Sequence, residues 1–304
     1  MIEVSLIGTG GTVPLPHRWL TSLLVKYKRK SVLIDCGEGT QISLKRLGWK
    51  PKSVDMLLLT HYHGDHVAGL PGILFSIANA QREEPLIIMG PPGLKEIIEG
   101  LTVIVPHLPY ELKLIKLSDQ ETTTIDLADF RIKALPVDHA VSCLAYSIEI
   151  KRGRKFSPEK AIENQVPKTI WGLLQKGEEI TLEEKQYTPE MVLGEERKGI
   201  KIAYCTDTRP IPEIIDFIKN ADLFIGEGMY GSEDDLQKAI DHKHMLFSEA
   251  AQLAKDGAVD ELWLTHFSPS LQEPEIYMEE TQKIFENTKL GEDHLRKNIK
   301  FKRD

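Results

Sequence analysis

The sequence has few cysteines and no long hydrophobic run. Its three cysteines, Cys36, Cys143 and Cys205, are far apart in the 304-residue chain and flanked by apolar residues. This pattern argues against a disulfide framework or a Cys-x-x-Cys zinc ribbon and favours reduced thiols packed in the core. No apolar run approaches the length of a membrane-spanning helix, and no export signal precedes the strand-like residues 3–7. We therefore expect a cytoplasmic protein that does not span a membrane.

An excess of positive charge is also absent. The chain has 46 acidic and 38 basic residues, which gives a net charge of −8 at pH 7. This balance argues against a protein that coats nucleic acid non-specifically, although it is compatible with local basic patches. The hydrophobic fraction of 41% is ordinary for a globular protein, and the length is sufficient for a large core. We expect one α/β domain, residues 1–304, with an insertion.

The sequence does contain a dense cluster of ionisable side chains after a short aliphatic segment. Residues 54–59 have the pattern of a strand covered on both faces. Gly64 is expected to allow a tight bend that brings the residues after it back towards those before it. Imidazole and carboxylate groups suit zinc and neighbouring first-row metals, and four of them exceed what one tetrahedral ion takes from one loop. The pattern therefore predicts a site for two metal ions. The four residues are His61, His63, Asp65 and His66.

Residues 8–12, Gly-Thr-Gly-Gly-Thr, form a glycine-rich loop after the first predicted strand. The loop lacks the third glycine of a dinucleotide-binding fingerprint, and no Lys-Ser/Thr pair follows it. The sequence therefore predicts a turn that approaches the metal site rather than a nucleotide-binding loop.

Other predicted strands also end in residues with metal-binding chemistry. Residues 130–135 alternate with period two and lead to His139, and residues 200–205 lead to Asp207. Beside a metal motif, a histidine at a strand end is expected to be a ligand. Asp35 follows another strand, where it could orient a ligand histidine or cap its own loop.

A short internal repeat connects the two halves of the chain. Residues 262–266, Leu-Trp-Leu-Thr-His, have the same form as residues 57–61, Leu-Leu-Leu-Thr-His. The repeat fits two layers of sheet that each contribute a ligand, and it makes His266 a further candidate. Between the repeats, a predicted strand ends at Glu227, and His244 stands just before a predicted helix.

Residues 151–199 interrupt the alternation of strands and helices. They contain prolines at positions 158, 167 and 189 and begin with the basic run Lys-Arg-Gly-Arg-Lys. We interpret this segment as a protruding arm. A basic run of this kind is either an ordinary solvated surface or a contact for RNA. The candidate contact residues are Arg152, Arg154 and Lys155.

The His-x-His-x-Asp-His segment resembles the signature of the metallo-β-lactamase superfamily, and the whole constellation resembles the ribonuclease Z family. That family comprises zinc endonucleases that remove 3′ trailers from tRNA precursors. The resemblance covers nearly the whole chain and implies an αββα sandwich with an inserted arm. It also implies two zinc ions. By resemblance, His61, His63 and His139 hold one zinc, Asp65, His66 and His266 hold the other, and Asp207 bridges them.

The same resemblance implies roles for residues outside the metal shell. Glu227 and His244 take the places of the family's catalytic pair, and Asp65 could also accept a proton from the attacking water. Cleavage would leave a 3′-hydroxyl on the tRNA and a 5′-phosphate on the trailer. The arm would bind precursor tRNA, and the family precedent implies a homodimer in which one subunit's arm serves the other's site.

The chain departs from the family's motifs in three places. The Pro-x-Lys-x-Arg-Asn loop corresponds to residues 14–20, Pro-Leu-Pro-His-Arg-Trp-Leu, which retain the arginine but not the lysine or asparagine. Only Glu227 remains of the His-Glu-Ala-Thr segment, and the arm lacks the Gly-Pro element. One alternative is a phosphodiesterase or other small-molecule hydrolase of the same fold, with the arm as a lid or dimer contact. Another is an RNA-binding module, which a dinuclear site does not favour because structural zinc sites close with four ligands.

Overall fold

The computed structural model of the protein describes residues 1–105 and 107–302. Pro106, Arg303 and Asp304, which the predicted single domain includes, lie outside the described residues. The strands are β1 (Ile2–Gly8), β2 (Ser22–Tyr27), β3 (Lys30–Ile34), β4 (Met56–Leu58), β5 (Leu86–Gly90), β6 (Leu112–Lys116), β7 (Thr123–Leu127), β8 (Phe130–Val137), β9 (Cys143–Arg152), β10 (Ile180–Leu182), β11 (Lys185–Tyr187), β12 (Arg197–Cys205), β13 (Leu223–Glu227), β14 (Leu262–Thr265), β15 (Thr288–Leu290) and β16 (Arg296–Ile299).

Helices alternate with these strands through most of the chain. Across residues 1–105 and 107–302, no helix is long and apolar enough to cross a membrane. Short 3₁₀ turns occupy Pro51–Ser53, Lys168–Ile170, Pro189–Met191, Glu233–Asp235 and Pro274–Tyr277. The α-helices are α1 (Thr40–Arg46), α2 (Gly64–Val67), α3 (Leu70–Asn79), α4 (Leu94–Thr102), α5 (Pro158–Glu163), α6 (Trp171–Gln175), α7 (Pro212–Ile218), α8 (Leu236–His242), α9 (Phe247–Asp256) and α10 (Met278–Ile284).

Fourteen of the strands form two seven-stranded sheets. The first sheet has the order β16-β1-β2-β3-β4-β5-β6, and the second has the order β15-β14-β13-β12-β9-β8-β7. Strands β3 to β6 are parallel, as are β12 to β15, whereas β1 to β3 and β7 to β9 are antiparallel. Neighbouring parallel strands therefore end at a common edge in each sheet, where ligands commonly bind. Strands β4 and β14, which carry the internal repeat, lie in different sheets.

The outer face of each sheet is covered by helices. Leu57 of β4 packs in one cluster with residues of α1, α3 and α4, including Leu74 and Ile98. Phe224 of β13 packs in another cluster with residues of α7 and α9, including Ile214. Each sheet thus buries aliphatic side chains beneath its own helices.

The inner faces of the two sheets pack against each other. The Tyr146 hydroxyl of β9 donates a hydrogen bond of 2.7 Å to the Leu59 carbonyl, just past β4. The hydroxyls of Thr21 and Tyr204 are 2.9 Å apart and buried. These contacts complete a helix–sheet–sheet–helix arrangement, in which a central strand such as β4 is buried on both faces and apolar.

The chain divides into two compact units. The first comprises Met1–Glu149 and Lys201–Lys300, and the second comprises Ile150–Ile200 with Phe301 and Lys302 of the described residues. The predicted arm, residues 151–199, falls within the second unit. This unit contains α5, α6 and the β10–β11 hairpin, and it has its own core. The core residues are Ala161, Val166, Ile170, Leu174, Tyr187 and Val192.

Candidate metal centre and active site

The residues after β4 turn back through a short helix. His63 is the extended residue before α2, and Asp65 and His66 lie on the first turn of that helix. The bend is present, but the prediction that it depends on the glycine at position 64 is wrong. A Cβ added at Gly64 would meet nothing within 4 Å. The helical turn itself returns Asp65 and His66 towards His61.

The other candidates come from strand ends. Asp207 follows β12, Glu227 ends β13 and His266 follows β14, so three parallel strands deliver side chains at one edge of the second sheet. Asp207 and His266 have φ values of 56° and 60°. This left-handed conformation is uncommon outside glycine. His139 follows β8 in the same sheet.

The structure brings all seven candidate metal ligands together. Potential ligand atoms of His61, His63 and His139 lie within 4.8 Å of one another, and those of Asp65, His66 and His266 do so as well. A further group, His61, His66 and Asp207, connects these sets, and another joins Asp207 and His266 with Glu227 and His244. These are the two sets of three and the connecting aspartate that the family resemblance implies.

Asp207 lies between the two sets of histidines. Its Oδ1 is 3.8 Å from His61 Nε2 and 3.9 Å from His139 Nε2, whereas its Oδ2 is 3.2 Å from His66 Nε2 and 3.4 Å from His266 Nε2. Oδ2 is buried without a hydrogen-bond partner. A buried carboxylate oxygen without a partner is costly, so the donor set fits a bound cation. A metal cofactor is therefore supported by the geometry as well as by the ligand types.

Asp35 orients one of the histidines. Its Oδ2 lies 2.8 Å from Nδ1 of His66, and its Oδ1 accepts the backbone N–H of Thr60 at 2.8 Å. It therefore holds a candidate ligand, which is the first of the two roles considered from the sequence, and it fixes the loop after β4 rather than capping its own loop. With Nδ1 of His66 bonded to Asp35, Nε2 faces the cluster.

Glu227 connects the metal cluster with His244. Its Oε1 lies 2.7 Å from His244 Nδ1 and 3.1 Å from His266 Nδ1, and it accepts the Asp207 N–H at 2.9 Å. Its Oε2 accepts the Met245 N–H at 2.7 Å. The glutamate is fully buried, so these contacts hold it in one orientation. His244 remains 14% exposed and therefore has access to a substrate.

Burial and charge shift the pKa values of these groups in different directions. Burial lowers the pKa of His61, which keeps its imidazole neutral and able to bind a cation. Burial also opposes the charged forms of His66 and His266, but Asp207 and other carboxylates raise the pKa of both, that of His266 to about 10. Burial likewise opposes the charged form of His244, yet Glu227 raises its pKa above the ordinary value. His244 is thus suited to carry a proton near neutral pH.

A cavity of about 500 Å³ opens onto the cluster. The predicted turn after β1 approaches it, because the Thr12 N–H donates a hydrogen bond of 2.7 Å to Asp65 Oδ2. The cavity is lined by Thr12, Val13, Pro14, Leu20, Glu38, His63, Gly64, Asp65, Ala68, Asp207, His244 and His266.

The three basic candidates of the arm lie in the second unit, and each of them makes hydrogen bonds within it. Arg154 Nε donates to the Gly194 carbonyl at 2.5 Å and its Nη2 to the Leu193 carbonyl at 3.1 Å. Arg152 Nη1 donates to the Lys302 carbonyl at 2.7 Å. Lys155 accepts the Gly194 N–H through its carbonyl. The two arginines therefore contribute to the arm's structure in addition to its charge.

The sequence interpretation missed Arg209 and Glu249, which form a close ion pair beside His244. They are 40 positions apart. The sequence offered two signals. Arg209 is a cation two residues after Asp207, and Glu249 is at the third position of a helix, where it can cap the backbone. Neither signal specifies the other partner.

Comparisons with known proteins identify the family. Residues 2–288 match the family model described as Anti-Pycsar protein Apyc1, so the chain falls within the group that this model describes. It is 54% identical over 302 residues to a ribonuclease Z of Clostridium kluyveri, covering 99% of this chain and 100% of the relative. The chain belongs to the ribonuclease Z family. A ribonuclease Z of Clostridium acetobutylicum is 53% identical over 306 residues, with 99% of each chain covered.

Solved structures agree with the fold of the ribonuclease Z family. The short form of human tRNase Z aligns with a TM-score of 0.71 and 24% identity, covering 98% of this chain and 99% of that one. The metallo-β-lactamase fold protein YhfI of Bacillus subtilis aligns with a TM-score of 0.70 and 20% identity, covering 98% and 100%. The predicted metallo-β-lactamase-like fold is confirmed, and the relatives confirm the prediction of a ribonuclease Z-like enzyme.

Proposed function

We propose that this protein is a zinc-dependent endoribonuclease that hydrolyses a phosphodiester to remove the 3′ trailer of tRNA precursors. The observation that carries the proposal is the Glu227–His244 pair beside Asp207, at a cavity lined by candidate metal ligands. Membership in the ribonuclease Z family supports the substrate class. Cleavage leaves a 3′-hydroxyl on the tRNA and a 5′-phosphate on the trailer.

The donor set supports two zinc ions in each chain. In this assignment, three imidazoles would hold one ion, and two imidazoles with one carboxylate would hold the other, which are ligand types that zinc prefers. Asp207 would be shared by the two ions, since its two oxygens face different sets of histidines. The first set is His61, His63 and His139, and the second is Asp65, His66 and His266.

Bound zinc ions supply Lewis acidity and lower the pKa of a bound water. Two side chains of the protein carry out the proton transfers. Asp65, at the cavity surface, accepts a proton from the attacking water. His244 gives a proton to the departing ribose 3′-oxygen as its bond to phosphorus breaks. Glu227 holds Nδ1 of His244, so Nε2 is the nitrogen that donates.

The proposed domain organisation is a single metallo-β-lactamase-like domain, residues 1–304, whose arm at residues 151–199 is the tRNA-binding exosite. Arg152, Arg154 and Lys155 contribute positive charge to that arm. Binding through phosphate charge and shape suits an enzyme that accepts many tRNA sequences. We further propose a cytoplasmic homodimer in which one subunit's arm serves the other's site. Sedimentation of the purified protein tests the dimer directly.

The test of function is cleavage mapping. Zinc-loaded protein is incubated with an end-labelled tRNA precursor and, separately, with a small chromogenic phosphodiester. We expect one cleavage at the trailer junction, with a tRNA 3′ end that ligates and a trailer 5′ end that a phosphate-dependent exonuclease degrades. An intact precursor together with rapid hydrolysis of the small phosphodiester would replace this proposal with the small-molecule alternative.

A further inference from the structure

The segment that carries His244 is short and irregular. Helix α8 ends at His242, Lys243 adopts a left-handed backbone with φ of 57°, and α9 begins at Phe247. The N–H groups of Lys243 and His244 bond back to carbonyls of α8. The N–H groups that follow, at Met245 and Leu246, donate to side chains, so side chains from other elements determine how well this part is fixed. We infer that Arg209 is a positioning residue that holds His244 in its catalytic orientation.

Arg209 contacts both the segment and the start of the helix that follows it. Its Nη1 donates to the His244 carbonyl at 2.5 Å and to Glu249 Oε2 at 2.9 Å, and its Nη2 donates to Glu249 Oε1. The two-point pair with a carboxylate fixes the plane of the guanidinium group. Glu249 Oε2 also accepts the Leu246 N–H at 2.9 Å. One ion pair therefore holds both ends of the segment from His244 to Leu246.

The peptide that joins His244 to Met245 is held at both of its polar atoms. Arg209 binds the carbonyl oxygen, and Glu227 Oε2 accepts the Met245 N–H at 2.7 Å. Rotation of this peptide would break both hydrogen bonds. The peptide adjoins the Cα of His244, so the clamp fixes the base from which the imidazole reaches Glu227 Oε1.

The position of Arg209 is itself well determined. Its N–H donates to the Asp138 carbonyl at 3.0 Å, and the Asp138 carboxylate pairs with Lys243 at 2.6 Å. The Arg209 and Glu249 side chains are only 16% and 20% exposed, so solvent competes weakly for their contacts. His244 lines the cavity, whereas Arg209 is not among the described residues that line it. Arg209 therefore acts through His244 rather than on the substrate.

This inference rests on the proposed role of His244, and a double-mutant cycle separates the two. We expect Arg209→Gln to lower the single-turnover cleavage rate about 10- to 100-fold, because small misplacements of a catalytic group have effects of this size. Precursor affinity and metal content should be unchanged. In a His244→Ala background the same substitution should change the rate less than about twofold, since residues that act as a unit are not additive.

The matched control is Arg131→Gln, which removes a similar two-point arginine–carboxylate pair with Asp126 at the edge of the second sheet. It should leave the cleavage rate unchanged. Arg209→Lys keeps a donor for the His244 carbonyl but loses the two-point pair, so its cleavage rate should be intermediate. If Arg209→Gln does not fold, the cycle is run with Arg209→Lys. Equal losses in the two backgrounds, or loss of metal, would overturn the inference. An unaffected His244→Ala enzyme would instead overturn the proposed role of His244.

Discussion

Asp207 has the most demanding environment in the site, because each of its oxygens faces a different pair of histidines and one oxygen has no hydrogen-bond partner. A carboxylate can be buried in this way only when positive charge compensates it. The histidines provide that charge as protons when no metal ion is bound. A metal ion provides it in the proposed enzyme.

Substitution of Asp207 tests this arrangement. Asp207→Ala removes both oxygens between the two ligand sets, so we expect elemental analysis to show a loss of at least one metal ion per chain. Asp222→Ala is the control, because Asp222 is also buried but accepts a backbone N–H at the other end of β13. It should retain its metal. Full metal occupancy and unchanged activity in Asp207→Ala would remove Asp207 from the site.

Metal binding should also release protons. Opposing the effect of burial, the carboxylates raise the pKa values of His66 and His266, so both imidazoles are protonated near neutral pH when no metal is bound. Zinc must displace these protons, and its affinity should therefore fall as the pH falls. Calorimetric titration of metal-free protein in buffers of different ionisation enthalpy measures the release. A binding enthalpy that does not depend on the buffer would contradict this prediction.

His244 should affect turnover rather than metal retention. We expect His244→Ala to lower the cleavage rate roughly 10²-fold or more, because it removes a proton donor for the leaving oxygen. A precursor with sulfur in place of that 3′-oxygen needs no such donor, since a thiolate leaves readily. The variant should regain most of its rate on this substrate. A defect that persists with the sulfur leaving group would show a different role, and loss of zinc would make His244 a ligand.

At the scale of elements, the loop after β1 fits closely around the metal cluster. A Cβ added at Gly11 would lie 2.8 Å from His266 Cε1 and 2.9 Å from its Nε2, closer than real Cβ contacts. Gly11→Ala should therefore displace His266 and reduce metal content or affinity. Gly100→Ala, in α4, is the control because its Cβ would meet nothing within 4 Å. Equal metal affinity in the two variants would show that the loop yields without disturbing His266.

The same scale explains what could be predicted from the sequence. Strands such as β4 and β14 were predictable because short apolar runs followed by histidine are local patterns. The Arg209–Glu249 and Lys243–Asp138 pairs were not, because they join ordinary charged residues 40 and 105 positions apart. The bend at Gly64 was misattributed because glycine composition does not distinguish a special turn from the first residue of a helix. Long-range ion pairs and backbone conformation are therefore the features that could not be predicted from the sequence.

At the scale of the whole molecule, the acidic chain must bind an acidic substrate. The net charge is −8, so binding of RNA requires local concentrations of positive charge. The basic run at the start of the arm is one such concentration. Its arginines also bond to carbonyls within the second unit, so a loss of function on neutralisation has two possible origins, lost charge and lost structure.

A triple variant and a double variant separate these origins. Replacing Arg152, Arg154 and Lys155 by glutamine should weaken precursor binding and flatten its salt dependence, because each lost phosphate contact removes roughly one released counterion. The second variant replaces both arginines by lysine and leaves Lys155 in place. It keeps the charge but loses the guanidinium hydrogen bonds, so the salt dependence should stay near that of the wild type. Hydrolysis of a small chromogenic phosphodiester should survive in both variants, since the metal cluster is untouched.

If the arm is instead a lid over a small-molecule site, small-substrate kinetics should change at least as much as RNA cleavage. A glutamine variant that processes precursor tRNA with wild-type efficiency across the salt range would exclude the arm's charge from substrate binding.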